Sequence, residues 1–186
     1  MYVMRIIITV LWSVFILYWL LSAVGAKRSI RDQHWLRSAG VRLLIMIITW
    51  LVFWLLAKQH LTFTASPTSF VMVIGTMLAA MGIGLCLWAR RCLGKNWGMP
   101  MSRIESSELI TTGPYRLIRH PIYTGLITAF IGTALAINWL LLLPFVLAAV
   151  YFVYSAIIEE QTMMQKFPTQ YLEYKSRSKM LIPFIL

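Results

Sequence analysis

The chain has 186 residues, 60% hydrophobic and 12% charged, and 17 Lys+Arg against 6 Asp+Glu give it a formal charge of +11. A soluble domain of this length cannot hide so much apolar surface, so the bilayer is part of its solvent. The basic residues lie between apolar runs rather than on one polar face, which excludes a nucleic-acid binder and marks membrane topology.

The first uncharged run, Ile6–Ala26, has 21 residues. That is longer than the apolar core of a signal peptide and long enough to span, so it is read as a transmembrane helix despite the small residues Ser22–Ala26. The second run, Leu43–Ala57, has 15 residues and spans only if Arg42 and Lys58 snorkel to opposite headgroup layers. The third covers about Thr68–Ala89, with Ser66-Pro67 as its start. Cys86 and Cys92 near its end form neither a CxxC pair nor a disulfide framework. The fourth run, Pro121–Ile158, has 38 residues without a charge. As one helix it would reach about 57 Å, nearly twice the hydrocarbon core, so it must turn back. Asn138-Trp139 is its polar-aromatic break, which predicts helices over about 121–137 and 139–160 joined by a tight turn.

Five spans result. Lys27, Arg28, Arg31, Arg37 and Arg42 lie on one side with Arg90, Arg91, Lys95, Arg103, Arg116 and Arg119 and with the tail residues Lys166, Lys175, Arg177 and Lys179. The other side holds Arg5 and Lys58. The positive-inside rule then places the amino terminus outside and the carboxyl terminus in the cytoplasm, as in a prokaryotic inner-membrane protein. Thr76, Ala80 and Gly84, and Thr128, Gly132 and Ala136, recur at four-residue spacing and are the expected helix contacts. The chain is read as one membrane domain: two amino-terminal spans in 1–66, then a third span and a carboxyl-terminal half in 67–186.

His34, His60 and His120 fall in separate segments, and no HExxH or Cys/His cluster is present, so no metal site is expected. Gly82-Ile83-Gly84 lacks the third glycine of a dinucleotide fingerprint, and there is no phosphate-binding Walker loop. Glu159-Glu160 closes the last apolar run. The pair either marks the exit of a helix into water or binds a cation such as a ligand amino group. Tyr171, Tyr174, Arg177 and Lys179 suit a short amphipathic helix on the headgroup surface.

The chemically dense stretch is Thr111–Tyr123. Pro114 and Pro121 forbid one continuous helix through it. Non-helical backbone this close to a bilayer persists only where protein, water or a ligand satisfies its polar groups. His120 and Tyr123 fall at the first turn of the fourth span, where the helix dipole favours an anion. A zwitterion fits: carboxylate near His120 and Arg119, ammonium near Glu159.

The same residues carry a family likeness. Leu109-Ile110-Thr111-Thr112-Gly113-Pro114-Tyr115, Arg119-His120-Pro121-Ile122-Tyr123-Thr124-Gly125, Glu159-Glu160, and Tyr171-Leu172-Glu173-Tyr174-Lys175 followed by Ile182-Pro183-Phe184-Ile185 resemble the isoprenylcysteine carboxyl methyltransferase and phospholipid methyltransferase superfamily. The likeness covers about residues 90–186. It implies an all-α integral membrane enzyme, with five transmembrane helices, a tight hairpin of helices four and five, and a cytosolic pocket for S-adenosylmethionine. By position it implies cofactor contacts at Leu109, Ile110, Tyr115, His120, Pro121, Ile122, Tyr123 and Glu159. Arg119, His120 and Tyr123 are the catalytic candidates, and Ser155 and Glu160 lie on the substrate side. A further cofactor contact falls near Pro100.

The implied acceptor is a membrane lipid or lipidated small molecule with a carboxylate, amine or thiol. In prenylcysteine enzymes an arginine one turn before the first glutamate serves the substrate carboxylate. Here that position is Ser155, which counts against a prenylcysteine and leaves the cofactor site intact. A membrane NADPH-dependent sterol-type reductase is the alternative enzyme. A transporter ranks lower, because the spans hold no mid-membrane charge.

Overall fold

The computed structural model describes residues 2–23, 29–30, helical positions within 40–55, 67–97, 103–104 and 108–182. About half of the expected second span, together with His34, His60, Pro100 and residues 183–186, lies outside the described residues.

Among the described residues the regular structure is helical apart from one antiparallel pair of two-residue strands, Ser29–Ile30 and Arg103–Ile104, and an isolated bridge between Ile118 and Lys179. Its named helices are α1 (Tyr2–Ala23), α2 (Ser69–Leu93), α3 (Pro121–Ile137), α4 (Leu142–Lys166) and α5 (Pro168–Arg177). Three helical stretches, Tyr2–Ala23, Ser69–Asn96 and Trp139–Lys166, are long and apolar enough to cross a membrane. α3 is a shorter apolar helix of 17 residues.

α2 begins one step later than the sequence reading placed it. Thr68 caps it, its hydroxyl accepting the Val71 amide at 3.5 Å. α2 and α3 form the tightest pair, because glycines let their backbones meet. A Cβ on Gly75 would sit 2.6 Å from the Gly132 carbonyl oxygen and the Ala136 nitrogen. The seam on α2 is Gly75, Ala79, Gly82, Cys86 and Ala89, all buried. It therefore differs from the expected Thr76, Ala80 and Gly84. Ala80 and Gly84 face outward, and Thr76 turns its hydroxyl back to the Met72 carbonyl. A strict four-residue step rotates about 40° around a helix each time, so such a row leaves the interface within two steps. The observed stripe alternates steps of four and three and stays on one face.

α1 joins this pair through Trp12, whose indole N–H donates to Thr133 at 3.0 Å while its ring stacks on Phe130. Ile8 packs with Ala79 and Ala136.

The predicted hairpin is present, with different limits. Asn138 ends α3, and its side-chain oxygen accepts the Leu140 amide at 2.9 Å across a single 3₁₀ turn, Trp139–Leu141. α4 then runs to Lys166, six residues past the predicted end. Glu159 and Glu160 therefore lie inside the helix rather than at its end. Pro168 sets the break, because it disfavours helical backbone at Phe167 and opens α5 as its first residue.

Candidate active site at the mouth of the α3–α4 hairpin

The stretch before α3 is held in shape by its own residues and by the carboxyl-terminal tail. Gly113 opens a 3₁₀ turn, Gly113–Arg116, at φ 61, a left-handed backbone that favours glycine. A Cβ there would also press on Cys92 Sγ at 2.6 Å. Pro114 follows at the start of the turn, and Pro121 starts α3. The backbone between them finds its partners in the tail. The Arg119 amide donates to the Lys179 carbonyl at 2.8 Å, the His120 amide to Met180 at 3.1 Å, and the Lys179 amide to Leu117 at 3.0 Å. The Thr124 hydroxyl donates to the Leu181 carbonyl at 2.7 Å. Protein thus satisfies the polar backbone that the two prolines expose.

Two carboxylates one residue apart do different work, because successive helix positions point about 100° apart. Glu160 is buried and closes a charged cluster. Arg119 Nε lies 2.6 Å from its Oε1, and Lys175 Nζ 3.0 Å from its Oε2. Arg119 also donates to the Ser178 carbonyl, so its guanidinium ties α4 to the tail. Glu159 faces the other way, with its side chain a quarter exposed. The Tyr123 hydroxyl donates to it at 2.6 Å, and His120 Nδ1 stands 3.5 Å from it. His120 stacks on Tyr123, and Tyr123 on Phe152, with ring planes 5° and 16° apart. His120 Nε2 is buried without a hydrogen-bond partner, 3.8 Å from Glu160.

α5 lies against this cluster. Tyr171 and Tyr174 are buried against protein, where the sequence suggested a headgroup anchor. The Tyr174 hydroxyl donates to the Tyr115 carbonyl at 2.6 Å. Burial pushes the Tyr174 phenol up to about 12, with Arg119 opposing, and raises Tyr115 and Tyr171 further. All three are neutral at physiological pH.

The structure brings Arg119, His120, Tyr123, Glu159 and Glu160 into one cluster. Pro121 is fully buried beneath it, and Ile122 packs with Tyr123, Ala156 and Leu181. Tyr115 sits on the α5 side, while Leu109 and Ile110 are half-buried on the approach to Gly113. Ser155 is fully buried, and its hydroxyl donates to the Tyr151 carbonyl one turn back, so it presents nothing to a ligand. The sequence reading missed Lys175, Ser178 and Phe152. Lys175 and Ser178 lie beyond the break at Pro168, and only the fold back onto Glu160 and Arg119 joins them to the site.

Fold and cluster together define a helical integral membrane protein with a polar ligand-type site at the open end of a helix hairpin. Residues 70–170 match the phospholipid methyltransferase family profile, more than half of the chain, and the chain belongs to that family. It is 34% identical over 117 residues to the protein-S-isoprenylcysteine O-methyltransferase of Xenopus laevis, covering 61% of this chain and 41% of that one. It is 36% identical over 70 residues to methanethiol S-methyltransferase 1 of Bradyrhizobium diazoefficiens, covering 38% of this chain and 24% of that one. Among solved structures it resembles a eukaryotic intramembrane Ras methyltransferase, isoprenylcysteine carboxyl methyltransferase. That match has a TM-score of 0.61 and 28% identity and covers 77% of this chain and 52% of the other. The chain thus spans about half or less of these relatives.

Proposed function

We propose that this chain is an S-adenosylmethionine-dependent methyltransferase acting on a lipid or lipid-like amphiphile at the membrane. The observation that carries the reading is the Tyr123–Glu159–His120 cluster, which lies within the family-matched segment.

The residues fit the cofactor. Glu159 is the less buried of the two carboxylates and suits an ammonium group. The orphaned His120 Nε2 is a polar atom that a ligand carboxylate would complete. Arg119 is already engaged by Glu160 and Ser178, so His120 rather than Arg119 meets that carboxylate. When bound, the cofactor supplies a methyl group already activated on a sulfonium. The chain's own residues have the remaining tasks. Tyr123 fixes the Glu159 rotamer by its hydrogen bond, the ring stack sets the His120 plane, and Leu181 packs against Tyr123 beneath the tail. Alignment and water exclusion of this kind are what methyl transfer from a sulfonium asks of a protein. A carboxylate acceptor needs no base, whereas a thiol or amine acceptor must lose a proton.

In this reading the chain is one membrane domain with five spans, counting α3 and a second span in 43–57. Its amino terminus is outside, and the site is cytoplasmic. The reductase alternative finds no support in the relatives above, which are methyltransferases.

Calorimetry with S-adenosylhomocysteine and, separately, NADPH tests the reading on purified protein. Binding of the first and not the second is expected; the reverse result rejects the proposal. Labelled methyl donor added to a total membrane-lipid extract then reports the acceptor.

A further inference from the structure

The atom that would meet the ligand carboxylate is closed off. His120 Nε2 is buried and, among the described residues, has no hydrogen-bond partner. It looks toward Glu160, 3.8 Å from Oε1. The same carboxylate is covered by Lys175 of α5 at 3.0 Å and by Arg119, which reaches on to the Ser178 carbonyl. A ligand that completes Nε2 therefore enters only if something there moves aside.

The packing singles out the part that can move. α3 is fixed to α2 at backbone contact along the glycine seam, and α4 is one helix through Lys166. α5 and the tail behind it hang from a single non-helical residue, Phe167 (φ −130, ψ 64), ahead of Pro168. Tyr171, Tyr174 and Leu181 are their buried side chains, and the rest of their hold on the body is polar. Lys175, with 42% of its side chain exposed, pairs with Glu160, and the Tyr174 hydroxyl donates to the Tyr115 carbonyl. The tail runs beside Leu117–His120 through backbone hydrogen bonds at Lys179 and Met180, and the Leu181 carbonyl accepts from Thr124. In water such bonds exchange with solvent at small net cost, unlike the close backbone contact between helices in lipid. Leu181 crosses the hairpin mouth, packed with Tyr123 of α3 and Ala156 of α4.

We propose that α5 and residues 178–182 form a lid hinged at Phe167, which opens to admit the cofactor and closes by returning Lys175 to Glu160 and Leu181 to the hairpin mouth. The inference rests on the methyl-donor reading of the site and adds to it a gate. Closure keeps water from the bound sulfonium.

Association and dissociation of labelled S-adenosylhomocysteine, timed on protein in nanodiscs, test the lid. Lys175 holds the lid shut whether or not ligand is inside, so Lys175→Met should speed both rates by the same factor, about three- to tenfold. A change in dissociation alone would make Lys175 a direct ligand contact, and no change in either rate would mean that it latches nothing; both results overturn the proposal. Should the variant fail to fold, hydrogen exchange in wild type carries the test. Saturating S-adenosylhomocysteine should slow exchange of the Arg119, His120 and Lys179 amides about tenfold or more and leave the amides of α1 unchanged. Equal exchange of those three amides with and without bound ligand overturns the lid. A wild type that binds no S-adenosylhomocysteine rejects the methyl-donor reading alone. The lid then stands if the three amides open together ahead of those of α2, and falls if they open only with them.

Discussion

At the residue scale the site turns on two adjacent glutamates with opposite duties. Glu160 holds Arg119 and Lys175 in a buried network, whereas Glu159 faces Tyr123 and His120 with part of its surface open. Their amide variants should separate binding from stability. Glu159→Gln should weaken S-adenosylhomocysteine by roughly 10- to 100-fold in calorimetry and leave the melting midpoint nearly unchanged, since a charge-assisted contact to a ligand is lost. Glu160→Gln leaves Arg119 buried without its counter-charge. It should cost about 3 kcal/mol, or roughly 6–12 °C of melting midpoint, before any effect on binding is considered. The reverse pattern would exchange the two assignments. Tyr174 gives a second test. Its folded phenol is raised from the ordinary 10 to about 12, chiefly by burial. The folded state therefore prefers the protonated form, and the stability this contributes is complete below pH 10 and lost as pH climbs through 12. Tyr174→Phe removes the donor to the Tyr115 carbonyl, costs about 1–3 kcal/mol at neutral pH, and should remove the share of the alkaline loss between pH 10 and 12. The share due to Tyr115 and Tyr171 should remain at higher pH, and phenolate difference spectra with parallel melts would separate them. Much of this site was legible. Two prolines, a histidine and an acid pair against a long apolar run announce polar chemistry because a bilayer penalises it. The ligand-side place of Glu159 could be anticipated, but the buried pairing of Glu160 with Arg119 and Lys175, in place of the expected substrate side, could not. That follows from a 100° step on α4 and from Lys175 returning across the Pro168 break, and neither is written in local spacing.

The elements owe their positions to a seam of small residues. α2 and α3 meet where Gly75, Ala79 and Gly82 face Gly125, Ala129 and Gly132, with carbonyl and amide atoms of one helix where a side chain on the other would begin. Dispersion across such a close approach is the chief attraction available between helices in lipid, where no hydrophobic term favours association. Gly75→Leu should therefore separate the pair and, because α3 carries His120 and Tyr123 at its first turn, dismantle the site from a distance. The expected result is loss of S-adenosylhomocysteine binding with a broadened, early melt in detergent. Gly84→Leu, on the outward face with open space around it, should change neither. The existence and length of these helices could be read from uncharged runs, since a run of apolar residues fixes a span. Helix rotation could not be read so directly. In an apolar helix every face is greasy, so the contact face is marked only by small residues; the four-residue row found Gly132 and Ala136 at the contact on α3 but selected the wrong stripe on α2. The hairpin was legible for the opposite reason. Asn138 is a polar side chain in an otherwise charge-free run, and it caps the turn that it marks.

For the whole molecule the decisive quantity is which ends lie on which side of the membrane. α3 has 17 residues, about 26 Å of helix, against a hydrocarbon core near 30 Å. It spans only if its ends reach the headgroup layers, with Trp139 at one end and the Arg119–His120 pair at the other as interfacial anchors. If it spans, the hairpin turn and α5 lie on opposite faces of the bilayer. If it dips in and returns, they lie on the same face, and the site loses its place at a boundary. Charge bias favours spanning, since Arg116, Arg119, Lys166, Lys175, Arg177 and Lys179 cluster at the hairpin's open end and its turn carries no charge. Two cysteines placed in a Cys92→Ser background decide between these arrangements, because Trp139 and Arg177 are both exposed, whereas the remaining native Cys86 is buried. In intact cells a membrane-impermeant maleimide should label Trp139→Cys and leave Arg177→Cys unlabelled until the cells are opened. Labelling of both only after opening would make α3 re-entrant. Labelling of Arg177→Cys alone in intact cells would invert the protein and move the proposed site to the outer face, where cytosolic S-adenosylmethionine does not reach it.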